Sequence, residues 1–175
     1  TFTIDKADST TTVSCSAGPF VYNGNAQTPC SASVTGAGGL SQALTVNYSG
    51  NLHAGTATAS ASYAGDANHE GSNDSQSFTI AKRDVTASIS AADKTYDGSD
   101  SATIDSCSLE SATANHGVVS PDAVGCTASN GHFDDANAGS DKDVSADVAL
   151  NGAAKDDYHL TGGTASTTAD IDKAD

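Results

Sequence analysis

The sequence predicts an all-β chain built as two tandem Ig-like β-sandwich domains, each with one disulfide. Three observations carry this reading: an internal repeat, period-two alternation of apolar residues, and four cysteines divided two and two between the repeats. The repeat is seen in TFTI-DKAD at Thr1, SFTI-AKRD at Ser77 and TADI-DKAD at Thr168. Each copy is a short apolar strand followed by a charged four-residue hinge. Counted from Asp8 to Asp84 to Asp175, the units span 76 and 91 residues. Within them Tyr22-Asn23-Gly24 matches Tyr96-Asp97-Gly98, and His53-Ala54-Gly55-Thr56 matches Asn137-Ala138-Gly139-Ser140. Similarity kept in this order marks repeated structural units.

The strands follow from alternation, because successive side chains of a strand point to opposite faces. Leu44, Val46 and Tyr48 form one such face. In TATASASY, Ala57, Ala59, Ala61 and Tyr63 face one way, and Thr56, Thr58, Ser60 and Ser62 the other. Phe78 and Ile80 alternate, as do Val85, Ala87 and Ile89. In the second unit Val144, Ala146, Val148 and Leu150 share a face, with Ser145 and Asp147 opposite. No helical spacing of comparable length occurs. Short strands separated by Gly, Asn and Asp turns indicate a sandwich. Alanine-lined inner faces let two sheets approach closely with little apolar volume.

Composition sets the limits. Leu, Ile, Val and Phe number only 25 of 175 residues, and the net charge is −15. Such figures by themselves describe a disordered chain, and it is the ordered repeat that argues for folding. With 30 alanines, 44 Ser and Thr and no Trp or Met, a thick core and a deep enzyme pocket are excluded. Twenty-two acids against seven bases repel phosphate backbones, so no nucleic-acid partner is expected. No apolar run approaches the roughly 20 residues of a membrane helix, and no membrane insertion is expected. TFTIDKAD lacks the pattern of a signal peptide. Residues 1–4 look instead like the end strand of a preceding repeat or an extra strand, so the chain is expected to be an excerpt of a longer protein.

Cys15 and Cys30 lie in the first unit, Cys107 and Cys126 in the second. Pairing within units is the simplest of three connectivities. Each closed loop would add roughly 3 kcal/mol through unfolded-state entropy, a device of small secreted domains with weak cores. Zinc competes for these thiols, but no Cys-x-x-Cys knuckle is present. Disulfides imply an oxidising, extracellular or cell-surface compartment.

The first unit, residues 5–81, carries Tyr22-Asn23-Gly24, Gln27-Thr28-Pro29-Cys30, Val34-Thr35-Gly36-Ala37-Gly38-Gly39-Leu40, Ala54-Gly55-Thr56 and Tyr63-Ala64-Gly65-Asp66-Ala67-Asn68-His69. In these residues it resembles the bacterial MBG domains. The second, residues 82–175, carries Lys94-Thr95-Tyr96-Asp97-Gly98, Ala138-Gly139-Ser140 and Tyr158-His159-Leu160. In these it resembles the YDG domains of filamentous-haemagglutinin-like surface proteins. The resemblance implies a spacer or adhesive repeat of a large secreted or surface-anchored bacterial protein. Its partners would be neighbouring repeats of the same chain, with a host or surface glycan or protein as the alternative. It brings no catalytic residues.

Candidate sites are few. Tyr22 with Gly24, and Tyr96 with Gly98, are expected to be structural: Asx-Gly supplies the positive φ of a tight hairpin, and the Tyr packs with its hydroxyl bonded. No Gly-x-Ser-x-Gly elbow is present, the histidines sit in or beside turns where solvation is the default, and an enzyme is not expected. Calcium is the one cofactor considered. Asp134, Asp135, Asn137 and Asp141 form an acidic turn able to offer oxygens, although the spacing departs from an EF-hand loop. The hinge acids Asp5, Asp8, Asp84, Asp172 and Asp175 offer a second set. The competing reading is that these acids only solvate turns.

Overall fold

The structure is a computed structural model that describes residues 2–175. It is all-β, 56% strand, with only two short 3₁₀ turns, Ala37–Gly39 and Lys155–Asp157, and no α-helix among the described residues. The chain divides into two compact units, Thr1–Ala81 and Lys82–Asp175.

Unit 1 contains β1 (Ser9–Cys15), β2 (Phe20–Val21), β3 (Cys30–Gly36), β4 (Ser41–Leu44), β5 (Asn47–Ser49), β6 (Gly55–Tyr63) and β7 (Ser72–Ala81). They form a three-stranded sheet, β1-β3-β4, and a four-stranded sheet, β2-β7-β6-β5. The alternation in β6 does what its pattern requires: Ala57, Ala59 and Ala61 are buried and the hydroxylic residues face away. Ala59 and Ala61 meet Val13 and Ala32 of the other sheet, with Leu44, Val46 and Tyr48 packed around them. The Tyr48 hydroxyl accepts from Cys30 N at 2.8 Å and donates to Cys30 O at 2.9 Å. Its ring meets Phe78 edge-on, as Phe20 does. Aromatic rings thus fill what the alanines leave open.

The outer edge of β1 is closed by side chains of β7. Asp74 Oδ2 accepts from Val13 N at 2.7 Å and Gln76 Oε1 from Cys15 N at 3.0 Å. The hydroxyls of Ser9 and Thr11 both meet that of Ser72 at 2.8 Å. A strand edge with free N–H groups is a template for foreign strands, and here polar side chains at period two occupy it.

Unit 2 contains β8 (Arg83–Val85), β9 (Ala87–Ala91), β10 (Lys94–Thr95), β11 (Ile104–Leu109), β12 (Gly125–Phe133), β13 (Gly139–Asn151), β14 (Tyr158–Leu160) and β15 (Thr164–Asp172). A four-stranded sheet, β10-β15-β13-β12, is accompanied by two-stranded sheets β11-β9 and β14-β8. Val144, Ala146 and Val148 are buried along β13. Val144 packs with Phe133, Ala169 and Ile171, while Ala146 and Val148 pack with Ile89 of the small sheet.

The repeat recurs as register. In unit 1, Gly55 of β6 stands opposite Ile80 of β7; in unit 2, Gly139 of β13 stands opposite Ile171 of β15. A two-residue strand pairs in parallel with each closing strand, β2 with β7 and β10 with β15. Residues 2–6 form no strand, and Phe2 and Ile4 are exposed; Thr1 lies outside the described residues. Along the charged stretch Ala81-Lys82-Arg83-Asp84, β7 runs to Ala81, β8 starts at Arg83, and Arg83 is buried.

Candidate functional site

The Tyr-Asx-Gly turns follow the two parallel strands and are placed alike. Tyr22 N donates to Ala81 O at 2.9 Å, and Tyr96 N to Asp172 O at 2.8 Å. Asn23 Oδ1 accepts from Asn25 N, and Asp97 Oδ1 from Ser99 N, each at 2.9 Å. Gly24 and Gly98 take φ of 75° and 76°, a region closed to most side chains. The expected tight hairpins are not formed. Each turn leads out of a parallel pairing into another sheet, so the glycine serves an Asx turn.

The two tyrosines then diverge. Tyr22 is buried at 3% exposure, with the His53 imidazole nearly parallel to it at 6.4 Å between ring centres. Tyr96 is 45% exposed. The expectation of a packed turn tyrosine therefore holds for Tyr22 and is corrected for Tyr96. Tyr96 instead lines a shallow depression of about 470 Å³ with Asn137, Ala138, Lys173 and Ala174. Beside it Lys94 Nζ lies 2.7 Å from Asp97 Oδ1. That hydrogen bond, with the Ser99 amide, holds the Asp97 carboxyl below the usual range.

Two polar clusters were not visible as clusters in the sequence. In unit 1, Asp66 Oδ1 accepts from the amides of Asn68 and His69, each at 2.7 Å, and lies 2.9 Å from His69 Nδ1; Asp66 Oδ2 accepts from the Tyr63 hydroxyl at 2.8 Å. His69 Nε2 meets Ala37 O at 2.8 Å. With an acceptor at each ring nitrogen, the imidazolium is the favoured form. The bond to Ala37 O and then Asp66 raise its pKa above the ordinary 6.5. The Asn68 amide and the Tyr63 hydroxyl hold Asp66 far below the usual carboxylate range. His69 is buried, so the expectation of a solvated loop histidine is corrected there.

In unit 2 the Arg83 guanidinium donates to three carbonyls: Gly117 O at 2.8 Å through Nε, and Thr113 O at 2.6 Å and His116 O at 2.8 Å through Nη2. Tyr158, next to the buried Asp157, donates its hydroxyl to Asp122 Oδ2 at 2.5 Å and accepts from Val119 N at 3.0 Å. Burial, then that bond, pushes its pKa up to about 12. Both clusters pin long loops to strands. Neither has the nucleophile–base pairing of a catalytic site.

The acidic turn is closed by a lysine. Lys142 Nζ lies 3.0 Å from Asp134 Oδ1 and 2.7 Å from Asp135 Oδ1, and its side chain is only 11% exposed. Asn137 N donates to Asp135 Oδ1, and Asp141 N to Asp170 Oδ1. Of the considered calcium set Asp134, Asp135, Asn137 and Asp141, the first two carboxylates are thus engaged by the Lys142 ammonium, and Asp141 is tied to β15 through its backbone amide. Of the hinge acids, Asp84 pairs with His159 at 2.8 Å. Among the described residues no group of three His, Cys, Asp or Glu is arranged to hold a metal.

The cysteines form Cys15–Cys30 and Cys107–Cys126. The first joins directly opposed residues of neighbouring strands β1 and β3. The second joins β11 to β12, which belong to different sheets. No helix among the described residues is long and apolar enough to cross a membrane.

The family model of the YDG domain matches residues 80–169. No curated protein and no solved structure matches the chain.

Proposed function

The chain belongs to the YDG domain family, and we propose that it serves as a structural tandem repeat, a stalk or spacer in a large secreted or cell-surface bacterial protein of adhesin type. In this reading each unit is an Ig-like β-sandwich, the first of the MBG kind, and its partners are neighbouring repeats. The observation that carries it is the shared register. Gly55 opposite Ile80 and Gly139 opposite Ile171 are one building plan used twice. One disulfide in each of two small units favours an oxidising compartment.

Pulling on the oxidised protein by its ends tests the reading. Two unfolding events are expected, one per unit. Reduction should lengthen them by the loops of 15 and 19 residues, about 5 and 7 nm at full extension. A single event, unchanged by reductant, would overturn it.

A further inference from the structure

The two units contain one slot in two states. In unit 1 the slot next to the turn tyrosine holds His53, two residues before Gly55, whose ring lies 10° from the plane of Tyr22. In unit 2 the same register position, two before Gly139, is Asn137. Asparagine has no ring to lay against Tyr96, and the depression of about 470 Å³ opens there. The Tyr96 hydroxyl makes no hydrogen bond among the described residues, and its ring is 45% exposed.

We propose that this depression is a binding site for neutral pyranosides, with Tyr96 as the stacking platform. The His53 ring, nearly parallel to Tyr22 at 6.4 Å between centres, indicates what fits beside the tyrosine: a flat, ring-sized group. An aromatic face is electron-rich, and the C–H face of a pyranose presents weakly positive hydrogens to it. Asn137 supplies an amide donor and acceptor at the rim, and Lys173 an ammonium donor. Charge selects among rings. Unit 2 holds 17 acids and six bases, a net −11, which disfavours sialylated or phosphorylated ligands. Lys173 in the lining disfavours a cation. A neutral sugar remains.

The test is titration of the ¹⁵N-labelled full chain with methyl β-galactopyranoside and with cellobiose, followed by amide shifts. A single aromatic face gives dissociation constants on the order of millimolar. Expected are saturable shifts at Tyr96–Gly98, Asn137–Gly139 and Lys173–Ala174, with none at Tyr22 or His53. Tyr96→Ala should abolish them. Asn137→His, which supplies the ring that unit 1 carries, should weaken binding at least tenfold while the remaining spectrum stays folded. No shift at roughly 100 mM glycoside, or shifts that persist in Tyr96→Ala, would overturn the proposal. So would an arginine-rich peptide that moves these resonances when the glycosides do not, since that assigns the face to a cationic protein.

Discussion

Unit 1 and unit 2 share a closing strand, a parallel two-residue strand and a tyrosine turn, and differ in nearly everything that holds these in place. Unit 1 is stapled within one sheet, from β1 to β3, and unit 2 between sheets, from β11 to β12. Unit 1 pins its loop with an Asp66–His69 pair whose histidine is buried. Unit 2 uses a buried arginine that holds three carbonyls. Unit 1 has five acids and one base, a net −4, against −11 in unit 2. The common part is a register, which depends on backbone pairing and on one glycine opposite one isoleucine. The variable part is the means of satisfying loop carbonyls and bracing the sheets, for which polar side chains and disulfides are interchangeable.

The strongest way to probe this contrast is Arg83→Met. It takes the guanidinium from three loop carbonyls in unit 2, of which His116 O keeps the Thr113 amide as donor, and we expect a loss of about 3–5 kcal/mol. Urea unfolding monitored by unit-specific amide resonances should show unit 2 melting early and unit 1 unchanged. Equal loss in both units would mean that they do not fold independently.

Replacing either cysteine pair by serine should cost about 3 kcal/mol, since the loops are of similar length. Any excess for Cys107/Cys126 over Cys15/Cys30 measures what the tie between sheets adds beyond loop closure. Denaturant midpoints of the two double mutants give that difference directly. Ala59→Val in unit 1 should cost about 1–3 kcal/mol, because the position is fully buried against Val13 and Ala32 and overpacking strains a close-set pair of sheets.

Acidity should separate the units more gently. The raised pKa of His69 means that its contribution is complete below 6.5 and is lost as pH rises through the higher folded value. Asp66, held low, contributes above its ordinary 3.8 and fails only in strong acid. Unit 1 should therefore melt highest between these two ordinary values, and its melting temperature should fall on the alkaline side. His69→Gln should flatten that fall. The smallest effect concerns the acidic turn. Millimolar calcium should leave the melting temperature of the wild type unmoved, and Lys142→Gln should make it rise with calcium, since the ammonium no longer holds Asp134 and Asp135.

Much of the fold was legible locally. Ala57, Ala59 and Ala61 announce a buried face by spacing alone, and Val144, Ala146 and Val148 do the same. Arg83 reads as part of a charged hinge because Lys82 and Asp84 flank it, yet it is buried. His69 was misread because a histidine in a Gly/Asn turn looks exposed. Residues 2–4 carry the pattern of a strand, but a strand needs a neighbour as well as a pattern.

By itself the sequence determined the alternation of the strands, the two-fold repeat with its matched glycines, and the division of cysteines between units. These are short-range properties, written by neighbours two residues apart and by turn chemistry. Only the tertiary structure decided that Arg83 reaches Gly117, 34 residues on, that Tyr158 reaches back 36 to Asp122, and that His69 meets Ala37 across 32. It also decided that Tyr22 is covered and Tyr96 open, although both stand in the same motif. A motif sets the conformation of its own backbone, whereas burial depends on which distant residue the topology brings alongside: a ring at position 53, an amide at 137.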